Sequence, residues 1–445
     1  MRDLFLLVII LASVPISFME PFYGVLVWTW IAYFSPHRYA FTYMYNFPVA
    51  LVIAIPTVAG LFLTKKLNQN IFVRETALLS LLWAWFLITY LNATQVPLFR
   101  GHILDAQSEL IRVSKILLMT YVMILLVSSH KRLKYVFLVT AFSFIPLVLK
   151  AVAFGWRTGG QDRVWGPPDS FLADNNGFAL AVNMSLPILF YLAREEKSVI
   201  LRRVLNIAFA CGIITVILTY SRGGLLGLAA VLLLIAFKSR YRVASSVLLV
   251  ASVFLVLTFA PQKWMKRMDT ITGSEEHMDD SAKQRMVAWG TTWNFVKDYP
   301  VAGGSFRSLP NVDLFQRYEP EPLPEGYLST APHSIYFQTL GEQGFVGLFL
   351  YLLLIGCSLI SLRSLRRRAP LLSSTIWMVT YTNILEVSLV GFLVSGAFLG
   401  LADFDLFFQM IACTIVLKIL WRRELALQAA MVPVAVPTLA ESGAL

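Results

Sequence analysis

Four positions in this sequence pair a titratable or cationic side chain with neighbours that suit ligand binding. Arg222 stands in TYSRGGLLG, where one apolar run gives way to the next almost without a loop. Its flanking Gly223-Gly224 would let backbone approach a ligand closely, and a guanidinium can hold a phosphate through two parallel hydrogen bonds. The plainer alternative is an interfacial arginine that snorkels to lipid phosphates. Arg163 lies in the Gly-, Pro- and Asn-rich stretch GGQDRVWGPPDSFLADNNGFAL, with Asp162 and Asp169 close enough in sequence to pair with it. Arg285 falls on a polar segment of helical periodicity, and His333 follows Pro332 where polar sequence meets an apolar run. An imidazole, with an ordinary pKa of about 6.5, can take a proton from a hydroxyl at neutral pH; a lone histidine at a helix start is also a common structural residue. His37, His102, His130 and His277 have no comparable context. The acids Asp279-Asp280, Glu319, Glu321 and Glu325 lack metal-ligand spacing, and nothing resembles a P-loop or a Ser-His-Asp arrangement. No metal or cofactor is expected, so arginines must handle any anionic charge.

The elements that position these residues are membrane helices. The 445 residues are 57% hydrophobic and 14% charged, against about 25% charged for a soluble domain. A crossing needs about 20 apolar residues. Such stretches occur at about 47–64, 76–92, 110–129, 134–155, 177–194, 203–220, 223–237, 243–260, 335–362, 372–396 and 404–421. The run from Leu4 to Phe34, broken at Glu20-Pro21, holds either one crossing plus a half-helix or two short crossings. Lys plus Arg number 37 against 26 Asp plus Glu, a formal charge of +11. These bases cluster at Lys65-Lys66, Lys131-Arg132, Arg194 to Arg203, Lys238 to Arg242, Arg363 to Arg368 and Arg422-Arg423, in every second loop, as retention on the cytoplasmic side requires. With Arg2 also inside, residues 1–35 count as one net crossing, read as a retained signal anchor. The expectation is an all-α polytopic membrane protein of about twelve helices with both termini cytoplasmic. Residues 1–260 would make about nine crossings, 261–332 one large outer loop, 333–425 about three crossings, and 426–445 a disordered tail. Within the loop, Ser281 to Tyr299 suits an amphipathic helix lying on the membrane surface, with Met286, Ala288 or Trp289, Trp293 and Val296 as its apolar stripe and Pro300 and Gly303-Gly304 as its stop. Cys211, Cys357 and Cys413 read as packing residues, and Glu386 as the main charge inside a span.

These residues also carry a family resemblance. The SRGG at Ser221 to Gly224, the R-x-x-x-W and Y-P-x-x-G-G patterns from Arg285 to Gly304, and the H-S-x-Y-x-Q-x-L-x-E-x-G-x-x-G-L pattern from His333 to Leu348 resemble the O-antigen ligase and polymerase superfamily. The opening segment, including SFMEPFYGVLVWTWIAYFSPHRYAF, is similar to the putative O-glycosylation ligases that accompany exosortase systems in Gram-negative bacteria. The resemblance implies a metal-independent, inverting glycosyl transfer at the periplasmic face of the inner membrane. A glycan on undecaprenyl pyrophosphate would pass to an acceptor hydroxyl, lipid A-core being the acceptor of the ligases. By the same resemblance His333 is the base and Arg222, Arg285 and Arg163 hold the pyrophosphate. Arg157 competes with Arg163 for its place, and Tyr336, Gln338 and Ser221 support. Ser334 stands where the family carries Asn. Membrane lipids are expected partners and nucleic acid is not. A polymerase, a protein O-oligosaccharyltransferase, or a transporter of lipid-linked glycan stays open beside the ligase.

Overall fold

The break at Glu20-Pro21 decides how the chain begins. Pro21 takes the first position of a helix, where its missing N–H costs nothing, and Glu20 ends the preceding one. The result is α1 (Arg2–Met19) and α2 (Pro21–Phe34), packed against each other and both against α3 (Val49–Leu61). The Asp3 carboxylate accepts hydrogen bonds from Thr42 N at 3.0 Å, Thr42 Oγ1 at 2.8 Å and the amides of Phe41 and Met44. Glu20, at the other tip, pairs with Lys66 and Arg132. The opening segment therefore goes and returns, and the single net crossing expected of residues 1–35 is corrected. Arg2 shares an end of the bundle with residues 36–46, whereas Arg423 bonds Ser128 O at the opposite end, so the first and last described helices start and finish at different ends of the bundle.

The computed structural model describes residues 1–238, 280–324 and 326–431. The crossing expected near 243–260 and the tail from 432 onward lie outside them, as do His277 and the first part of the expected loop. The remaining helices are α4 (Arg74–Gln95), α5 (Ile103–Leu126), α6 (His130–Arg157), α7 (Asn175–Glu195), α8 (Val199–Leu218), α9 (Arg222–Lys238), α10 (Asp280–Asp298), α11 (Val312–Tyr318), α12 (Ile335–Arg368), α13 (Met378–Gly396) and α14 (Asp405–Met431). The chain is all-α among the described residues. Seven helices there are long and apolar enough to cross a membrane, which makes this a polytopic membrane protein. Helix α7 is buried along nearly its whole length and lies at the centre, packed on α6, α8, α9 and α13.

The two ends of the bundle differ in chemistry. One gathers the basic clusters: Lys134 pairs with Glu196, and Lys238, Arg363 and Arg366 all converge on Glu386. The other holds the segments between α2 and α3, α4 and α5, α6 and α7, α10 and α12, and α13 and α14. There Tyr45 bonds Asp169, His102 Nε2 meets Gly304 O at 2.8 Å, and Arg112 pairs with Asp403. Helix α10 spans the expected segment almost residue for residue, and the turn after it docks into a kink of α12. At Gly344 (φ 67°) the helical ladder opens; Phe345 N donates to Pro300 O at 2.8 Å and Gly304 N to Gly341 O at 3.0 Å. Only glycine fits this contact. A Cβ on Gly344 would lie 2.1 Å from Val301 O, and one on Gly303 (φ 62°) 2.4 Å from Gly341 O.

Candidate functional site

His333 sits one residue ahead of the Ser334 N-cap of α12, with φ 46°, a left-handed backbone that non-glycine residues seldom adopt. Pro332 O, just before it, accepts from Trp289 Nε1 at 2.7 Å, and Trp289 stacks on Phe337 at 5.1 Å between ring centroids. The strained residue is thus held between α10 and α12. Burial pushes the His333 pKa below its ordinary value; the Arg285 charge pushes it the same way and Asp174 opposes. An imidazole kept neutral beside a guanidinium is equipped to accept a proton.

Helix α10 brings two of the expected arginines together. Arg285 lies one turn beyond Ser281, whose hydroxyl accepts from Arg222 Nη2 at 3.0 Å. Arg222 opens α9, and Ser221 caps that helix by accepting from Gly224 N at 3.0 Å. Gly223 and Gly224 serve a different purpose from the one expected. A Cβ on them would meet Phe398 at 2.8 Å and Ala179 at 2.6 Å, so the close approach they permit is to protein. Asn183 fixes the same turn through Gly224 O at 2.8 Å.

Arg163 and Arg157 are placed apart from His333. Both are exposed. Arg163 lines a cleft of about 180 Å³ with Lys150, Tyr39 and Trp165, and Val164 N beside it bonds Leu218 O at 3.0 Å. Its charge is felt at Tyr220, which burial and Asp162 push up in pKa and Arg163 pulls down, so it stands on the flank of the turn that carries Arg222. Tyr336 is spent on structure, its hydroxyl donating to Leu393 O at 3.0 Å.

Gln338 leads to residues the sequence reading missed. With His333 it lines a cavity of about 370 Å³ into which Glu109, Arg112, Asp174, Arg307, Glu342 and Asp403 also face. Gln338 Nε2 reaches Glu342 at 3.4 Å and Asp403 at 3.5 Å, and its Oε1 accepts from Ala402 N at 3.2 Å. Arg112 is held between Glu109 and Asp403. Arg307 (φ 58°) pairs with Glu109 at 2.9 Å and donates its amide to Glu342 at 3.1 Å. Burial disfavours the Arg307 charge, but the hydrogen bond to Glu109 and the charges of Glu109, Glu342 and Asp403 outweigh it and raise its pKa. A second cavity of about 360 Å³ shares Glu109, Arg307 and Pro310 and extends to His102, Asp105 and Asn311. Two signals were available: Glu342 stands four residues after Gln338 in the quoted motif, and Glu109 and Arg112 form an i,i+3 pair in the polar first half of α5. Among the described residues no group of three or more His, Cys, Asp or Glu is arranged to hold a metal ion.

Residues 207–352 match the family model described as O-antigen ligase. The chain carries an O-antigen ligase domain. Residues 1–197 match a family of unknown function, DUF5935, and a search of curated proteins finds no match. The ligase domain indicates enzymatic transfer of a lipid-linked glycan, of the ligase or polymerase type. It holds Arg222, Arg285, Arg307, His333, Gln338 and Glu342. Glu109, Arg112, Arg163 and Asp174 come from the segment before it and Asp403 from beyond it, so the cavity beside His333 is assembled from outside the ligase domain as well as within.

Proposed function

We propose that this protein is an inverting, metal-independent ligase that moves a glycan from undecaprenyl pyrophosphate onto a hydroxyl of lipid A-core at the periplasmic face of the inner membrane. The observation that carries the reading is His333 lining a cavity, its pKa lowered by burial and the Arg285 charge, with Arg222 tied through Ser281 to the helix that carries Arg285. His333 takes the acceptor proton as the acceptor oxygen attacks the anomeric carbon from the face opposite the leaving group. The bond from that carbon to the pyrophosphate oxygen breaks, and Arg222 and Arg285 stabilise the charge that develops there. The sugar pyrophosphate brings its own leaving group, so one base and a cationic clamp suffice. Arg163, beside Tyr220, extends the basic side toward the donor. A polymerase or a protein O-oligosaccharyltransferase would use the same donor and base with another acceptor. A transporter is disfavoured by Glu386, the main charge within a span, which is committed to Lys238, Arg363 and Arg366 at the opposite end.

The test is transfer by the purified protein from undecaprenyl-pyrophosphate glycan to lipid A-core, with EDTA present. Transfer should persist in EDTA and fall by about a hundredfold or more in His333→Ala and in Arg222→Ala. Wild-type rates in both variants would overturn the assignment. Transfer only to a second lipid-linked glycan or to a peptide hydroxyl would reassign the acceptor while keeping the site.

A further inference from the structure

Resting on that reading, we propose that the cavity lined by Glu109, Arg112, Arg307, Glu342 and Asp403 is the acceptor subsite, and that it selects a saccharide ring bearing free hydroxyls over one bearing phosphate. His333 opens into this cavity, so a hydroxyl held there lies beside the base.

The charges decide what the cavity takes. Three carboxylates, Glu109, Asp174 and Asp403, together with the buried Glu342 carboxyl group, line it against two guanidiniums. Both guanidiniums are already engaged, Arg112 by Glu109 and Asp403 and Arg307 by Glu109. A phosphate entering would meet a surplus of negative charge, whereas the buried Arg112 Nη1, which has no hydrogen-bond partner, can donate to any neutral acceptor, a ring hydroxyl included. A polyol meets the reverse situation. Ionised carboxylates only accept hydrogen bonds, and each ring hydroxyl can donate to one of them while accepting from an arginine N–H. Phe171, Leu399 and Leu401 supply apolar wall for the C–H face of a ring. The second cavity meets the first at Glu109 and Arg307 and adds Asp105, Ser108 and Asn311 without adding an arginine or lysine; burial lowers the pKa of His102 in its wall. The groove therefore continues in the same chemistry, as a saccharide longer than one ring would use it.

The division of labour is spatial. Arg222 and Arg285 belong to α9 and α10, whereas Glu109 and Arg112 of α5 line the acidic cavity. Glu342 is the residue most firmly built in: it is 7% exposed and fixes the Arg307 backbone through its amide.

The experiment compares two acceptors on the wild-type protein, lipid A-core with its core phosphates intact and the same preparation with them removed enzymatically. The acceptor KM should be lower by several-fold for the dephosphorylated form, with donor KM unchanged. Asp403→Asn and Glu109→Gln should raise acceptor KM by about tenfold, the loss of one charge-assisted hydrogen bond, leave donor KM within error and erode the preference for unphosphorylated core. Equal or tighter use of phosphorylated core by the wild type overturns the proposal without reference to any variant. Unchanged acceptor KM in stably folded Asp403→Asn and Glu109→Gln overturns it as well. If His333→Ala abolishes transfer in the same assay, that failure leaves the ligase reading standing; if His333→Ala is also active, the reading itself has failed.

Discussion

At the scale of single residues, the position of His333 joins a strained backbone to a depressed pKa. Burial and the Arg285 charge both favour the neutral ring, so the rate should stay level through neutral pH and decline only as pH falls below the ordinary histidine value of about 6.5. The shift has a stability counterpart of the same sign. An unfolded chain binds this proton more readily than the folded one, so the contribution is fully present above about pH 6.5 and is lost as pH falls through the folded pKa. Arg285→Gln removes one of the two causes, and the acid limb of kcat/KM against pH should then move to higher pH, alongside a lower rate. A limb that stays in place would show that Arg285 does not act on the imidazole. His333, Arg222 and Arg285 could be picked from the sequence because each departs from its surroundings: a base at a loop boundary, or cations on the side where the positive-inside pattern predicts few. Glu109 and Arg112 offered only their i,i+3 spacing, and Arg307 and Asp403 offered no signal of that kind. Their charges cancel in pairs that are distant in sequence, Arg112 with Asp403 and Arg307 with Glu109, and only the folded chain brings the partners together.

At the scale of elements, α10 was legible in extent, and of its expected apolar stripe Ala288 and Val296 are buried. The expected stripe included Met286 and Trp293, yet these are exposed, while Val287, Ala288, Thr291, Thr292, Phe295 and Val296 are buried. The two threonines disguised the face. Each hydroxyl donates to the carbonyl four residues earlier, Thr291 to Val287 at 2.8 Å and Thr292 to Ala288 at 2.7 Å, and so each packs as an apolar residue. That face docks on α11 and α12. The kink at Gly344 belongs to the same unit, because it seats the turn that carries Arg307. Gly344→Ala forces a Cβ against Val301 O in a backbone conformation (φ 67°, ψ −174°) that essentially only glycine adopts, at about 1–3 kcal/mol before any clash. It should lower the melting temperature and cut transfer sharply. Gly356→Ala in the same helix, with open space around its Cα, should leave both unchanged or raise stability slightly. Equal behaviour of the two variants would mean that the docked turn does not matter.

At the scale of the whole molecule, periodicity and length gave the class of fold, and the alternation of basic clusters anticipated one basic end. The start of the chain escaped because a charge count weighs Arg2 and overlooks that Asp3 can be caged by backbone amides of residues 41–44. The paired α1 and α2 then have a consequence for anyone who labels this protein. A reporter joined ahead of Met1 would emerge in the compartment of the His333 cavity, and one joined after α14 in the other. Alkaline phosphatase, which matures only outside the cytoplasm, should be active on the first fusion and silent on the second, with a cytoplasm-dependent fluorescent protein giving the reverse. The opposite pattern would turn the molecule over in its membrane and put the cavity in the cytoplasm, out of reach of a periplasmic acceptor.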